Sequence, residues 1–156
     1  MRHARRIVAL FAFIWIALLL AAPVTALGVP LSGLVYAFGS LICHQLPERS
    51  FHLAGAQLPV CARCFGLYLG FAIAAWWGGP LRLPPLNRST LRIAIMLCAI
   101  PTAVTWGLEV AGLWAPGNVI RFAAALPLGA VIALTVNYVG CARPLPTGPN
   151  RPQVPI

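Results

Sequence analysis

The chain has 156 residues, of which 60% are hydrophobic and only 8% charged, and its mean hydropathy is +0.87. Soluble domains carry about 25% charged residues, so this composition excludes an ordinary water-soluble enzyme and points to an integral membrane protein of one small domain. The net charge of +9 comes from eleven arginines set against Glu48 and Glu109; the arginines flank apolar runs instead of forming a basic stripe with interleaved aromatics, which excludes nucleic acid as a partner.

A helix needs roughly 20 apolar residues to cross a bilayer. Residues 7–27 supply the first candidate span. Arg2, Arg5 and Arg6 ahead of this run, with Val24-Thr25-Ala26 at its end, resemble a signal peptide. The apolar core exceeds the roughly 7–15 residues of such peptides, so an uncleaved anchor is expected. Residues 29–42 are apolar but too short to cross, and they contain Pro30, Gly33 and Gly39, which suggests a half-helix or re-entrant segment. Residues 43–64 form a polar loop rich in Cys and His, and a second span covers about 61–79. A Pro/Arg-rich linker follows, with Ser89 or Thr90 placed to cap the third span, 91–114. A short link containing Pro116 and Gly117 joins it to the fourth span, 119–141, as an antiparallel hairpin. Residues 144–156 are Pro-rich and read as a disordered cytoplasmic tail.

The expected fold is therefore an all-α membrane bundle of four transmembrane helices plus a half-helix, with residues 1–143 as one transmembrane domain. Positive charge is retained in the cytoplasm. Four spans put Arg2, Arg5, Arg6, Arg82, Arg88, Arg92, Arg143 and Arg151 inside and leave Arg49, Arg63 and Arg121 outside. Both termini are then cytoplasmic in a multi-pass protein of the cell membrane, and the Cys/His loop faces outward.

Three of the five cysteines and two of the three histidines fall within residues 43–64. Cys61-Ala-Arg63-Cys64 sits where a helix begins. Two intervening residues let both sulfurs meet one metal, or each other in a disulfide. The helix dipole and Arg63 both favour the thiolate. Cys43 and His44 complete a Cys3His set of the kind that holds zinc. Adjacent residues point differently, however, so His52 is an alternative fourth ligand. Two other readings stand beside the metal site. One is a membrane thiol–disulfide oxidoreductase, similar in general design to quinone-linked disulfide-forming enzymes, which use two cysteine pairs where this loop has three cysteines. The other is a non-enzymatic protein with a disulfide-stapled loop. Cys98 and Cys141 are expected to be packing residues.

Charge within a membrane span marks a functional site by default. Glu109 lies roughly four residues before the hairpin turn and Arg121 roughly four after it, so at about 1.5 Å rise per residue the two reach the same depth and pair. Asn118 is placed to join them or to cap the fourth span. These residues are either a structural lock or a catalytic group, with Arg121 binding an anion and Glu109 moving a proton. Arg49 and Arg63 also attract anionic groups. Gly66-x-x-x-Gly70 permits close helix contact, and Tyr68 lies between the two glycines.

Cys43-His44-Gln45, Arg49-Ser50-Phe51 and Cys61-Ala-Arg63-Cys64-Phe-Gly66-Leu-Tyr68-Leu-Gly70 together resemble the small predicted membrane proteins of bacteria and archaea grouped as domain of unknown function 2085. The likeness runs over about residues 30–140 and continues through Asn118 and Arg121. It implies that Cys43, His44, Cys61, Cys64, Asn118 and Arg121 belong to one site, and it implies no particular activity, substrate or oligomeric state. The family pattern places an Asp and a Gln where this chain has Thr105 and Glu109, and a Thr-Gly step where it has Ala124-Ala125. This chain therefore either lacks a family carboxylate at Thr105 or uses Glu109 in its place.

Overall fold

The structure, a computed structural model, describes residues 2–24, 28–77 and 88–141. In chain order it contains α1 (Arg2–Ala21), α2 (Val29–Ile42), a 3-10 turn (Pro47–Arg49), β1 (Ser50–Leu53), β2 (Ala56–Cys61), α3 (Ala62–Trp77), α4 (Arg88–Val110) and α5 (Asn118–Cys141). The linker after Trp77 and the Pro-rich tail fall outside the described residues.

The expectation of four spans is not met by helix length. Among the described residues two helices, Ser89–Val110 and Asn118–Tyr138, are long and apolar enough to cross a membrane. α1 has 20 residues, but its first turns carry Arg2, Arg5 and Arg6 and it ends at Ala21, short of the predicted Leu27. α3 has 16 residues, about 24 Å at 1.5 Å per residue, against a hydrocarbon core of about 30 Å. α2 forms as expected over Val29–Ile42, with proline in its first turn. Ser89 and Thr90 lie inside the first turn of α4 and do not precede it.

The all-α expectation fails at the polar loop, which contains an antiparallel β-hairpin. Ser50 pairs with Cys61, His52 with Gln57 and Leu53 with Ala56, with an irregularity between Ser50 and His52. The two turn residues, Ala54 and Gly55, have φ of 52° and 81°, the left-handed pair that a tight two-residue hairpin requires. Ala54 is strained there, because a Cβ in the left-handed region costs about 1–2 kcal/mol. Ala54→Asn, which tolerates this conformation, should raise stability by about 1 kcal/mol, seen as a higher melting temperature in detergent.

Aromatic contacts seat the hairpin on the helices. Phe51 of β1 meets Phe65 of α3 and Phe122 of α5 edge-on at 6.3 and 5.9 Å, and Phe65 stacks on Phe122 at 5.7 Å. On another side, Leu19, Ala22, Val35, Cys43 and Val60 form a buried cluster against which Trp15, Phe65 and Tyr68 pack. α3 and α5 approach backbone to backbone. A Cβ added at Gly66, Gly70 or Gly129 would collide with the carbonyl oxygen of Phe122, Leu126 or Leu67 respectively. The glycine pair on α3 thus serves the packing role expected of it, and Gly129 supplies the matching gap on α5.

Candidate metal centre and its arginine–glutamate frame

Three elements deliver three sulfurs to one place. Cys43 ends α2, Cys61 ends β2, and Cys64 lies in the first turn of α3. Their Sγ atoms lie within 4.8 Å of one another. Tetrahedral zinc bonds of about 2.3 Å separate sulfurs by about 3.8 Å, a distance reachable here by small side-chain rotations. Cys43 is buried, and Cys61 and Cys64 are half-buried; all three are free thiols, as is Cys98. The backbone N–H of Cys61 donates to Cys43 Sγ at 3.2 Å. A hydrogen bond from the Cys64 thiol pulls the Cys61 thiol down to about 5, so negative charge in the pair settles first on Cys61.

The histidines separate. His44 lines a cavity of about 330 Å³ with Cys43, Cys61, Cys64, Gln45, Arg49, Arg63 and Trp106. His52 lines a different, apolar cavity with Leu20, Phe51, Leu53, Leu58, Phe65 and Phe122. Both imidazoles are exposed. The reason is the hairpin: β1 carries His52 away from the end of β2 where Cys61 sits. Of the two candidate fourth ligands, His44 alone shares the thiol cavity.

Gln45 has a structural role that residue spacing did not reveal. Its φ is 50°, an uncommon value outside glycine, and three hydrogen bonds hold it. Its Nε2 donates to Tyr36 O at 2.9 Å and Pro59 O at 2.6 Å, and its carbonyl accepts from Gln57 Nε2 at 2.5 Å. The segment after Cys43 is thereby pinned to α2 and β2, which fixes Cys43 beside Cys61. The signal available in the sequence was only its place in the Cys43-His44-Gln45 motif.

Beside the thiols lies a four-residue charge cluster. Glu109 Oε1 receives Arg121 Nη2 at 2.7 Å and Arg49 Nε at 3.0 Å, and Oε2 receives Arg63 Nη2 at 2.8 Å. The expected Glu109–Arg121 pair is present, and Arg49 and Arg63 join it from the hairpin side. Glu109 and Arg121 side chains are each 7% exposed, Arg63 14% and Arg49 39%. Asn118 Oδ1 accepts from Arg121 Nη1 at 2.8 Å, while Asn118 Nδ2 donates to Ser50 O at 2.9 Å. Arg121 Nη1 also reaches Glu48 O at 3.3 Å. The polar loop is therefore tied to the ends of α4 and α5. Thr105 donates to Thr102 O within its own helix and takes no part in the cluster.

Arg63 connects the two halves of the site. It stands between Cys61 and Cys64 in the chain, lines the thiol cavity and grips Glu109. Arg63 thus ties the turn between Cys61 and Cys64 to Glu109.

Residues 43–135 match the family model described as predicted membrane protein, DUF2085. An uncharacterised protein of Methanothermobacter thermautotrophicus is 37% identical over 98 residues, covering 63% of this chain and 86% of that protein. An uncharacterised protein of Methanocaldococcus jannaschii is 37% identical over 93 residues, and these cover 56% of each chain. No solved structure matches. The family match spans all three clustered cysteines, Glu109 and Arg121, and on that extent the chain belongs to the DUF2085 family of predicted membrane proteins.

Proposed function

We propose that this is a metal-binding membrane protein whose site holds zinc through Cys43, Cys61 and Cys64, with His44 as the fourth ligand. The observation that carries this reading is the convergence of three sulfurs from three separate elements within 4.8 Å, at the wall of a cavity that His44 also lines. Soft thiolates with an imidazole suit zinc better than the oxygen-preferring cations. When bound, such an ion would supply a Lewis acid at the cavity wall. His52 remains the alternative ligand only if the hairpin rearranges.

In this reading Glu109, Arg121 and Asn118 form the frame of the site rather than its reacting groups. Both carboxylate oxygens are occupied by guanidinium groups, and Glu109 does not line the thiol cavity. The topology we propose is four spans with both termini in the cytoplasm, α1 and α3 crossing with the help of their flanking residues. The cavity then faces outward from the cell membrane.

Elemental analysis of the detergent-purified protein tests the metal. About one zinc per chain is expected, lost in Cys61→Ser and Cys43→Ser, weakened in His44→Ala and unchanged in His52→Ala. Substoichiometric metal that Cys61→Ser leaves unaltered would sink the proposal. Cysteines that change between thiol and disulfide on labelling in intact cells would point instead to thiol exchange at Cys61-x-x-Cys64.

A further inference from the structure

We infer that the cavity beside the thiols is a binding site for a phosphate-bearing anion, held by Arg49 and Arg63. This names the ligand of the proposed metal site and rests on that reading for the cavity wall and for part of the charge balance.

Three guanidiniums surround one carboxylate, so the cluster carries two positive charges in excess. Arg63 and Arg121 are largely buried, and buried charge is costly unless paired. Three thiolates around one zinc ion carry a net charge of minus one, which offsets only half of the excess. An anion of one negative charge or more completes the balance.

The donors for such an anion are already in place. Arg49 meets Glu109 through Nε, and among the described residues its two terminal nitrogens have no ion-pair partner. Arg63 meets Glu109 through Nη2; its Nε is closed off from the cavity, so Arg63 acts on an anion there chiefly through its charge. Both residues line the cavity. A guanidinium offers five N–H donors in a planar fork. Two guanidiniums approaching from the 3-10 turn and from α3 suit an anion with three or four oxygens better than a two-oxygen carboxylate, which Glu109 already supplies. At about 330 Å³ the cavity holds a phosphate group with room for a substituent. Its rim includes Ile42, Leu46 and Trp106, which are 47%, 37% and 56% exposed. These apolar side chains accommodate the glycerol end of a phospholipid as readily as water bathing a free phosphate.

The test uses the full chain in neutral detergent, titrated calorimetrically with inorganic phosphate, with short-chain phosphatidylglycerol, and with the matching diacylglycerol that lacks phosphate. Phosphate or phosphatidylglycerol should bind, and diacylglycerol should not. Whichever of the first two binds more tightly names the source of the anion. Arg49→Gln should weaken that affinity roughly tenfold or more, since hydrogen bonds to charged groups contribute about 1.5–3 kcal/mol. Arg49→Lys should fall between. Arg49 is the most exposed member of the cluster, and a melting curve confirms that its variants fold. The inference is overturned if neither phosphate compound binds at about 10 mM, enough to saturate a millimolar site. It is equally overturned if Arg49→Gln binds as well as the parent, or if diacylglycerol binds as tightly as phosphatidylglycerol. Zinc measured on the same samples keeps the two proposals apart. Full metal without anion binding rejects the anion site alone, and anion binding without metal rejects the metal site alone.

Discussion

Glu109→Gln should destabilise the protein by roughly 3–5 kcal/mol, the range for removing one partner of a buried ion pair. The substitution keeps the shape of the side chain and removes the one negative charge that three guanidiniums share. Arg121, at 7% exposure, and Arg63, at 14%, would then face each other without a counter-charge. The expected readout is a large fall in melting temperature in detergent, together with weaker retention of the proposed metal, because Arg63 is part of the turn that carries Cys61 and Cys64. Arg49→Gln should cost much less, within about 1 kcal/mol, since an exposed member of an ion pair contributes little. Combining Glu109→Gln with Arg121→Met should recover part of the loss by removing one stranded charge. A Glu109→Gln protein that melts like the parent would show that the cluster does not hold the helices together.

Gly66→Leu and Gly129→Leu are expected to be comparably damaging, at about 3 kcal/mol or more. Overpacking commonly costs about 1–3 kcal/mol when side chains can shift aside. Here the obstacle is backbone: the new Cβ meets the carbonyl of Phe122 in one case and of Leu67 in the other. The only relief is separation of α3 from α5. That separation also parts Cys64 and Arg63 from Arg121, so metal content and stability should fall together. Gly107→Ala is the control. No atom lies within 4 Å of a Cβ there, so the change should be neutral or stabilising by about 1 kcal/mol through helix propensity. Equal melting temperatures for Gly66→Leu and Gly107→Ala would contradict the close approach of α3 and α5.

Features carried by spacing along one or two adjacent elements were legible in the residues. Cys61 and Cys64 flank a helix start, so their proximity follows from the geometry of one turn. Glu109 and Arg121 sit at matched depths on a tight helical hairpin, and their pairing follows from the rise per residue. α2 was legible from an apolar run bounded by Pro30 and the polar Cys43-His44-Gln45 segment. The β-hairpin was not. Its turn is Ala54-Gly55, without the Asn-Gly or Asp-Gly signal that marks such turns, and Pro59 lowers the strand propensity of β2.

Composition and local periodicity decided what depends on near neighbours: a mostly helical chain built for lipid, with three of its five cysteines gathered in one loop. Three things needed the folded chain. That His44 lines the thiol cavity and His52 a different one depends on the direction in which β1 leaves the site. The gathering of Arg49 and Arg63 onto Glu109 joins residues 60 and 46 positions apart in the chain. The locking of Cys43 beside Cys61 depends on Gln45 reaching Tyr36 and Pro59. Each is a contact between elements distant in sequence. Such contacts are set by how whole surfaces fit and which buried charges find partners, and no local spacing encodes that.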